Sequence, residues 1–378
     1  MKKRIITLGF LAAVIALSPV AVSAAAQNHI QLNYKETSMS SSQVITAGTT
    51  FVPLQQLAQE MGYVLTWNQN TKTAKLVRPE SEVTLTAGSV KAAVNGKQVT
   101  LAQAPRILKG KTYVPLVSVV KVFGGKAGYD KSSGSLNIVD EPRYSAAAAK
   151  GRFYWVSQKN GNVFYSAASG AKPVLIGEFP FADLTYTHHL AIENRGKGDL
   201  LLLNDNHYAM FSDFSNSYQA LIQDGKIVKQ MEYHFRIPSY IKAPVPKSTL
   251  SYMTDGKSIQ LISPDGSLGK WFDLESITGT TGDFIVEYAA EDIIVVRLMA
   301  NTRLFAIHPA SGDSEDLTEA LISSGDLKDW ERADGSDPYV VSKMLVLQKR
   351  EGNVMTFTYA ALSDGKIKTV TYDLEELK

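Results

Sequence analysis

The stretch "KTYVPLVSVVKVFGGKAGYDKSSGSLNIV", Lys111 to Val139, has a counterpart earlier in the same chain. The counterpart is "TTFVPLQQLAQEMGYVLTWNQNTKTAKLV", Thr49 to Val77, and the two align without a gap at a separation of 62 residues. Both contain Val-Pro-Leu, then a glycine, and then an aromatic residue before a polar turn. The chain therefore carries an internal repeat, and this repeat decides the architecture of its N-terminal part.

Each copy predicts a short helix followed by a hairpin. Apolar residues recur at helical spacing at Leu54, Leu57, Ala58 and Met61 in the first copy, and at Leu116, Val119, Val120 and Phe123 in the second. Pro53 and Pro115 suit the first helical turn, whereas Gly62 and Gly124 suit the C-terminal end. We expect a helix of about nine residues in both copies. Alternating residues around a polar turn predict two strands after it.

The correspondence continues upstream of the helix. The segment "AAVNGKQVTL" predicts a hairpin with Asn95-Gly96 at its turn, and the first copy has Tyr34 where the second has the glycine. A few short strands with one short helix bury too little apolar surface to fold alone. We therefore expect the two copies to pack into one duplicated α+β domain.

These motifs resemble a known family. "N-G-K", "G-K-T-Y-V-P-L" and the "F-G" stop are similar to the copper amine oxidase-like N-terminal domain, or stalk domain, of secreted Gram-positive bacterial proteins. The resemblance covers roughly residues 28 to 140. It implies an extracellular accessory domain associated with the cell envelope, and the family name implies neither catalysis nor bound copper.

Residues 1–26 have the pattern of a signal peptide. Lys2, Lys3 and Arg4 precede an apolar run that is too short to span a bilayer, and the segment ends in small residues at Ala24 to Ala26. The chain has no cysteine, which excludes both disulfides and an N-terminal lipid anchor on cysteine. We expect a secreted protein without a transmembrane segment in the mature chain, extracellular or held non-covalently at the cell wall.

Charge divides the mature chain into two parts. Residues 28–142 carry 12 Lys and Arg against 7 Asp and Glu, whereas residues 143–378 carry 24 against 30. The sign changes at "RYSAAAAKGR", so we predict a stalk domain over 28–142, a linker over 143–151 and a second domain over 152–378. The nearly neutral mature chain gives no electrostatic reason to expect a nucleic-acid partner.

The second domain reads as all-β. Short apolar or alternating runs are separated by the turn dipeptides Asp224-Gly225, Asp255-Gly256, Asp265-Gly266 and Asp364-Gly365. The only helices expected are short and lie around "EDLTEALISS". Such spacing suits a sandwich, a barrel or a propeller, and a weak internal similarity favours a propeller-like domain, a β-propeller of about five blades.

Catalytic signatures are incomplete. "PRILKGKT" resembles a phosphate loop, but Pro105 stands where a glycine is required. Ser118 and Lys121 match S-x-x-K without the companion motifs of serine acyl enzymes. "IQLNYKE" has Ile30 where the quinone-forming motif of amine oxidases needs threonine. We therefore assign no catalytic residue.

Metal ligands are also sparse. The six histidines are His29, His188, His189, His207, His234 and His308. Only His188 and His189 are close in sequence, and adjacent strand residues point to opposite faces. "NDNH" (204–207) and "SGDSED" (311–316) offer oxygens without a calcium-loop spacing. We expect no metal and no cofactor.

Aromatic residues suggest a function in binding. The second domain contains Tyr154, Trp155, Tyr165, Tyr186, Tyr208, Tyr218, Tyr233, Tyr240, Tyr252, Trp271 and Trp330. Exposed rings would bind sugars, although alternating aromatics are more often sheet packing. We expect a non-enzymatic binding or scaffold protein of the cell envelope. Its expected partners are an anionic cell-wall polymer or glycan, or another surface protein. The alternative is a secreted polysaccharide hydrolase that acts through the β domain.

Overall fold

A computed structural model describes most of the mature chain. It covers residues 29–141, 143–168, 170–181, 187–209, 212–238, 246–333, 338–341 and 343–376. The predicted signal peptide, residues 1–26, lies outside these ranges. None of the helices found in them has the length and apolar character needed to cross a membrane.

The N-terminal domain contains thirteen strands and two helices. In chain order they are β1 (His29–Leu32), β2 (Lys35–Glu36), β3 (Val44–Thr46), β4 (Thr49–Pro53), α1 (Leu54–Glu60), β5 (Val64–Asn68), β6 (Thr73–Arg78), β7 (Ser81–Thr86), β8 (Lys91–Val94), β9 (Lys97–Thr100), β10 (Arg106–Leu108), β11 (Lys111–Pro115), α2 (Leu116–Val122), β12 (Lys126–Asp130) and β13 (Ser135–Val139). The bounds of β3, β4, α1 and β5 recur 62 residues later in β10, β11, α2 and β12.

The two helices have seven residues each, not the nine expected. Pro53 and Pro115 lie just before the helix with extended backbone, so each proline ends a strand and does not open a helical turn. Gly62 and Gly124 follow the helices with φ of 67° and 88°. Since this left-handed region favours glycine, both residues end the helix as the sequence predicts.

Each sheet of the N-terminal domain contains strands from both copies of the repeat. One sheet has the order β12-β13-β1-β2, a second β10-β11-β4-β3 and a third β5-β6-β7-β8-β9. β1 pairs in parallel with β13, although about a hundred residues separate them. In the second sheet Val52 lies opposite Val114, its own counterpart in the repeat. The copies thus meet about a local two-fold axis and share one hydrophobic core.

A buried ion pair lies where the copies meet. Arg78 ends β6, and Asp140, 62 residues later, follows β13. The Arg78 guanidinium donates to Asp140 through both terminal nitrogens, at 2.8 to 3.1 Å, and the two side chains are only 4% and 3% exposed. It also donates to the carbonyls of Met61 and Phe123. These residues cap the C-termini of α1 and α2, where a cation is stabilising.

The described residues of the second domain form five consecutive antiparallel sheets. They are β14 (Tyr144–Ala149), β15 (Arg152–Ser157), β16 (Asn162–Ser166) and β17 (Val174–Glu178); β18 (Thr187–Arg195), β19 (Gly198–Ala209), β20 (Ser212–Gln223) and β21 (Lys226–Pro238); β22 (Ser251–Thr254), β23 (Ser258–Ile262) and β24 (Leu268–Asp273); β25 (Phe284–Ala289), β26 (Ile294–Leu298), β27 (Leu304–Ile307) and β28 (Ser314–Asp316); and β29 (Val346–Glu351), β30 (Val354–Ala360) and β31 (Ile367–Asp373). Within each sheet, every strand pairs with the next along the chain. The domain that the sequence predicts to be all-β is thus mostly β and contains a few short helices.

Four short helices lie between these sheets. They are α3 (Leu274–Thr278), α4 (Leu317–Leu321), α5 (Ser324–Arg332) and α6 (Pro338–Val341). The expected helix around "EDLTEALISS" is α4, but the sequence analysis did not predict α5. Ser323 begins α5, since its side chain accepts a hydrogen bond from the Asp326 amide.

The predicted linker is wrong. Most of residues 143–151 form β14, the first strand of the second domain. Tyr144 and Trp155 are buried with Val77 in a hydrophobic cluster that joins the domains. The Trp155 indole donates to the Gly62 carbonyl at 3.1 Å. The alanine-rich stretch therefore joins two domains in contact.

Buried polar contacts connect neighbouring sheets. The Asp199 carboxylate accepts from Arg152 and Tyr154 of the first sheet and from Asn194 of the second. Arg297 on β26 pairs with Glu287 and donates to the Leu345 carbonyl at 2.7 Å, ahead of the fifth sheet. These contacts fix the sheets relative to each other and to the site described next.

Candidate functional site

The first strands of four sheets line a groove in the second domain. It consists of two adjoining cavities of about 810 Å³ and 320 Å³, which share Arg195, Leu250 and Ser251. We call it the first-strand groove. Its polar lining residues include Glu193, Arg195, Ser251, Tyr252, Tyr288, Asp292 and Arg350.

Glu193 and Arg195 are two residues apart on β18, so their side chains point to the same face. An Arg195 terminal nitrogen lies 2.8 Å from a Glu193 oxygen. The Ser251 hydroxyl on β22 donates to the same oxygen. These contacts join the second and third sheets at the centre of the groove.

A second arginine lies at the other end. Arg350 on β29 makes a two-pronged contact with Asp292, with one distance of 2.8 Å, and its guanidinium carbon lies 5.9 Å from the centroid of the Tyr288 ring. The hydrogen bonds from Arg350 hold the pKa of Asp292 below its ordinary value. Arg350 also donates to the Gly352 carbonyl, so its donors are largely occupied within the protein.

Arg195 differs from Arg350. Its Nε is buried from solvent and has no hydrogen-bond partner among the described residues. A buried donor without a partner costs about 1–3 kcal/mol, more when the group is charged. Arg195 lines both cavities and its side chain is 35% exposed, so a small rotation of the guanidinium would bring this donor within reach of a ligand oxygen. A guanidinium edge of this kind suits a carboxylate.

Tyrosines line the smaller cavity. The rings of Tyr233 and Phe235 stack with centroids 4.4 Å apart, and the Tyr252 hydroxyl donates to the Val286 carbonyl at 3.4 Å. Burial raises the pKa of both Tyr233 and Tyr252. Both hydroxyls are therefore neutral at physiological pH and can donate or accept a hydrogen bond.

The displaced carboxyl pKa values give no candidate for an acid catalyst in the described part of the second domain. A glycosidase needs a carboxyl group whose pKa is raised so that it can protonate a leaving group. In the described part of the second domain, the displaced carboxyl pKa values are all lowered. The carboxyls are Asp199, Asp265, Glu275, Asp292, Asp326 and Asp364.

Most of the aromatic candidates do not form an exposed platform. Tyr154, Trp155 and Tyr218 are buried in the sheets, whereas Trp271 is 53% exposed on β24. Tyr233 and Tyr252 line the groove. The side chains of Tyr186, Tyr208 and Tyr240 lie outside the described residues. Glu193, Arg195 and Arg350 are not predictable from the sequence, since only the fold brings β18, β22 and β29 together.

The other candidate motifs have structural positions. "PRILKGKT" is the β10–β11 turn, and Gly110 has a φ of 76°. The Ser118 hydroxyl on α2 accepts from the Ala102 amide, 3.0 Å away. His29, His234 and His308 contact Glu36, Asn216 and Ser311. Across the described ranges no three His, Cys, Asp or Glu side chains could together hold a metal ion.

The chain was compared with known proteins. Residues 31–138 match the family model of the copper amine oxidase N-terminal domain. A protein named protease inhibitor from Brevibacillus choshinensis is 29% identical over 93 residues, which are 25% of this chain and 28% of that protein. The match thus spans less than a third of that relative.

The solved structures that match this chain have lower sequence identity to it. Apo AztD from Citrobacter koseri is 11% identical with a TM-score of 0.28, and the match covers 84% of both chains. The alpha-L-arabinofuranosidase Arb93A from Fusarium graminearum is 10% identical with a TM-score of 0.22, covering 89% of this chain and 98% of that one. At those TM-scores neither likeness bears on the fold or activity of this chain.

The described residues of the N-terminal domain do not fit a copper centre. Copper sites need several imidazole or thiolate ligands. His29 is the one histidine of 29–141, and its Nδ1 lies 3.2 Å from a Glu36 oxygen at an exposed position. The match to the family model covers the residues that contain the repeat and its Val-Pro-Leu motifs. Residues 31–138 are therefore similar in sequence to the copper amine oxidase N-terminal domain.

Proposed function

We propose that this chain is an exported binding protein of the cell envelope. Its N-terminal domain associates with the wall or acts as a spacer, and its second domain binds an acidic glycan in the first-strand groove. The observation that carries the proposal is the buried, unpartnered Nε of Arg195 beside that groove. Stacked Tyr233 and Phe235 add an aromatic surface of the kind that binds sugar rings.

Two features of architecture belong to the same proposal. The N-terminal domain arose by duplication of one helix-and-hairpin unit, and the five sheets close into a five-bladed propeller. Recurrence of element bounds at 62 residues supports the duplication. Five consecutive meanders support the propeller, as do the contacts between first strands, β14 with β18 and β22 with β25. In a propeller the first strands of the blades surround the central axis, so the first-strand groove would lie along that axis.

The distribution of charge supports wall association. The N-terminal domain carries a net charge of +5 and the second domain −6. Anionic wall polymers would attract the first and leave the second facing outward. Exposed charges are screened beyond about 10 Å at 0.1 M salt, so electrostatic association is expected to weaken as salt is raised.

Glycan binding is tested with an array of acidic and neutral glycans. We expect the mature chain to retain carboxylate-bearing glycans, and Arg195→Gln to weaken this binding at least about tenfold because a charge-assisted contact is lost. Arg303→Gln, which removes the contact with Asp316 outside the groove, is the matched control. Equal binding by the two variants would contradict the proposal. Release of shortened glycans would favour a hydrolase.

Wall association is tested by sedimenting the mature chain with purified Gram-positive cell walls. We expect it to pellet at low salt and to be released at moderate salt. A chain that stays in the supernatant at low salt would contradict wall association. Pelleting that is independent of salt would leave wall binding in place and refute its electrostatic origin.

A further inference from the structure

Two further grooves lie in the N-terminal domain. The tryptophan groove, of about 490 Å³, is lined by Pro53, Leu54, Gln55, Gln56, Gln59, Leu65, Trp67, Gln69, Ile107, Gly110, Lys111 and Thr112. The tyrosine groove, of about 1060 Å³, has Tyr129, Lys121 and Ile45 among its lining residues. Both volumes are in the range of small-molecule sites.

The grooves are built from equivalent positions. Trp67 and Tyr129 are 62 residues apart, as are Gln59 and Lys121, and Ile45 and Ile107. In the tryptophan groove, α1 and β5 of the first copy are closed by the β10–β11 turn of the second. In the tyrosine groove, α2 and β12 of the second copy are closed by the β3–β4 turn of the first. The local two-fold arrangement has therefore produced two sites of one design with different side chains.

Glutamines dominate the tryptophan groove. Gln55, Gln56 and Gln59 lie on α1, and the Trp67 indole donates to Gln69 at 2.7 Å. The Gln56 oxygen accepts from Ser42, and its amide nitrogen, which has no hydrogen-bond partner among the described residues, can donate to a ligand. An amide both donates and accepts hydrogen bonds, as sugar hydroxyl and acetamido groups do. A row of amides beside an indole can thus bind the edge and the face of one sugar ring.

The charge and the exposed apolar side chains of the two grooves restrict the class of ligand that they can bind. Among the lining residues, all of them described, neither groove has an acidic side chain, and each has one lysine, Lys111 or Lys121. Ile107 is 46% exposed beside the tryptophan groove. An exposed branched side chain next to amides matches an acetamido group, which carries a methyl beside its own amide. A hydroxyl group in the same position would make no apolar contact with Ile107.

We infer that the two grooves are a pair of binding sites for a glycan of N-acetylhexosamines. This inference rests on the proposed wall association and names its site and ligand class. Trp67 or Tyr129 stacks on a sugar ring, the glutamines of the tryptophan groove bind the acetamido and hydroxyl groups, and Ile45 or Ile107 contacts the methyl. Two sites on one rigid domain bind a polymer more tightly than either binds a short oligomer.

Calorimetry on the mature chain tests the ligand class. The probes are a hexamer of β-1,4-linked N-acetylglucosamine and cellohexaose, which has the same linkage without acetamido groups. We expect the first to bind at least about tenfold more tightly, and Trp67→Ala to weaken that binding by a similar factor. Trp271→Ala is the matched control, because it removes an exposed tryptophan from the second domain. Equal affinity for the two hexamers would overturn the inference.

Trp67 packs partly against the core, so its removal could disturb folding. Gln59→Ala and Gln55→Ala change only exposed side chains on α1 and keep the test decisive. We expect each to weaken hexamer binding while the unfolding temperature stays unchanged. Wild-type affinity in all three variants would overturn the assignment of the site.

Sedimentation with peptidoglycan stripped of anionic polymers separates the two proposals. Loss of pelleting in the double variant Trp67→Ala, Tyr129→Ala supports both the grooves and a wall source of the glycan. Unchanged pelleting in that variant keeps wall association and overturns the groove assignment. Binding of the hexamer without pelleting supports the sites, refutes wall association and makes chitin-like polymers the source.

Discussion

Tyr34 has a backbone conformation for which its repeat counterpart uses a glycine. Asn33 and Tyr34 have φ of 47° and 68°, and Asn95 and Gly96 have 47° and 78°. Both turns are therefore of the tight type in which two consecutive residues have positive φ. The Tyr34 side chain is 88% exposed and contributes little packing in return. The first hairpin thus carries local strain that the second does not.

Replacing Tyr34 with glycine is expected to stabilise the protein by about 0.5–1 kcal/mol. Relief of the left-handed strain exceeds the extra flexibility of glycine in the unfolded chain. Chemical denaturation of the mature chain measures the change. Gly96→Ala is the matched variant in the other copy and should lower the free energy of unfolding. A stability loss in Tyr34→Gly would show that the tyrosine makes a compensating contact.

The ion pair between Arg78 and Asp140 was not predicted from the sequence. The pair joins equivalent positions of the two copies, and an exact repeat would place two like charges there. Opposite charges 62 residues apart could have been found by comparing the copies position by position for complementarity as well as identity. The capping of both helices by one guanidinium could not, because it depends on the angle at which the copies pack.

At the scale of elements, periodicity predicted well where the pattern was local. Both helices lie where they were expected, although each is shorter than predicted, and the turn at Asp224-Gly225 joins β20 to β21. The linker was assigned wrongly because four consecutive alanines do not distinguish a strand from a linker. Residues 146–149 pair with Phe153 and its neighbours on β15 and acquire strand structure from that contact. Which strands lie side by side in the first-strand groove is a long-range property that no local pattern contains.

The contact between the first two sheets depends on pH. Burial alone would raise the pKa of Asp199, but Arg152, Tyr154 and Asn194 hold it below the ordinary value. A lowered folded-state pKa stabilises the fold above the unfolded value of about 3.9. That contribution is lost as the pH falls through the folded-state value.

Asp199→Asn is expected to cost about 2–3 kcal/mol at pH 7, since it removes the charge that pairs with Arg152. The penalty should shrink as the pH is lowered from 5 toward 2. Thermal unfolding of the wild type and the variant across this range measures both effects. The exposed pair of Lys366 and Asp364 offers a control, and Asp364→Asn should cost far less. A penalty for Asp199→Asn that is constant with pH would contradict this assignment.

At the scale of the whole molecule, the interface between the domains rests on a glycine. A Cβ on Gly62 would lie 2.4 Å from the Tyr144 carbonyl oxygen, and Trp155 donates to the Gly62 carbonyl. Gly124 has the same role at the end of α2, but its nearest neighbour would be an Arg78 nitrogen at 4.0 Å. The repeat thus provides two glycines of similar backbone, of which one meets the second domain.

We expect Gly62→Ala to destabilise the protein by about 2 kcal/mol more than Gly124→Ala. Both variants incur the left-handed strain of about 1 kcal/mol, and only Gly62→Ala also pushes the domains apart. Hydrogen exchange should show faster exchange around Trp155 in Gly62→Ala alone. Equal effects of the two substitutions on unfolding and exchange would mean that the domains do not need this contact.

Because β1 pairs with β13, the sheet that contains β1 cannot be completed until both copies of the repeat have been synthesised. The chain leaves the ribosome from its N-terminus, so His29–Leu32 emerge long before Ser135–Val139, the strand with which they pair. The first copy alone can form its helix and hairpin but cannot complete the sheet that contains β1. A nascent chain that stalls before residue 135 would therefore present an open strand edge to chaperones and proteases. The two copies of the repeat thus complete each other's sheets and share one core.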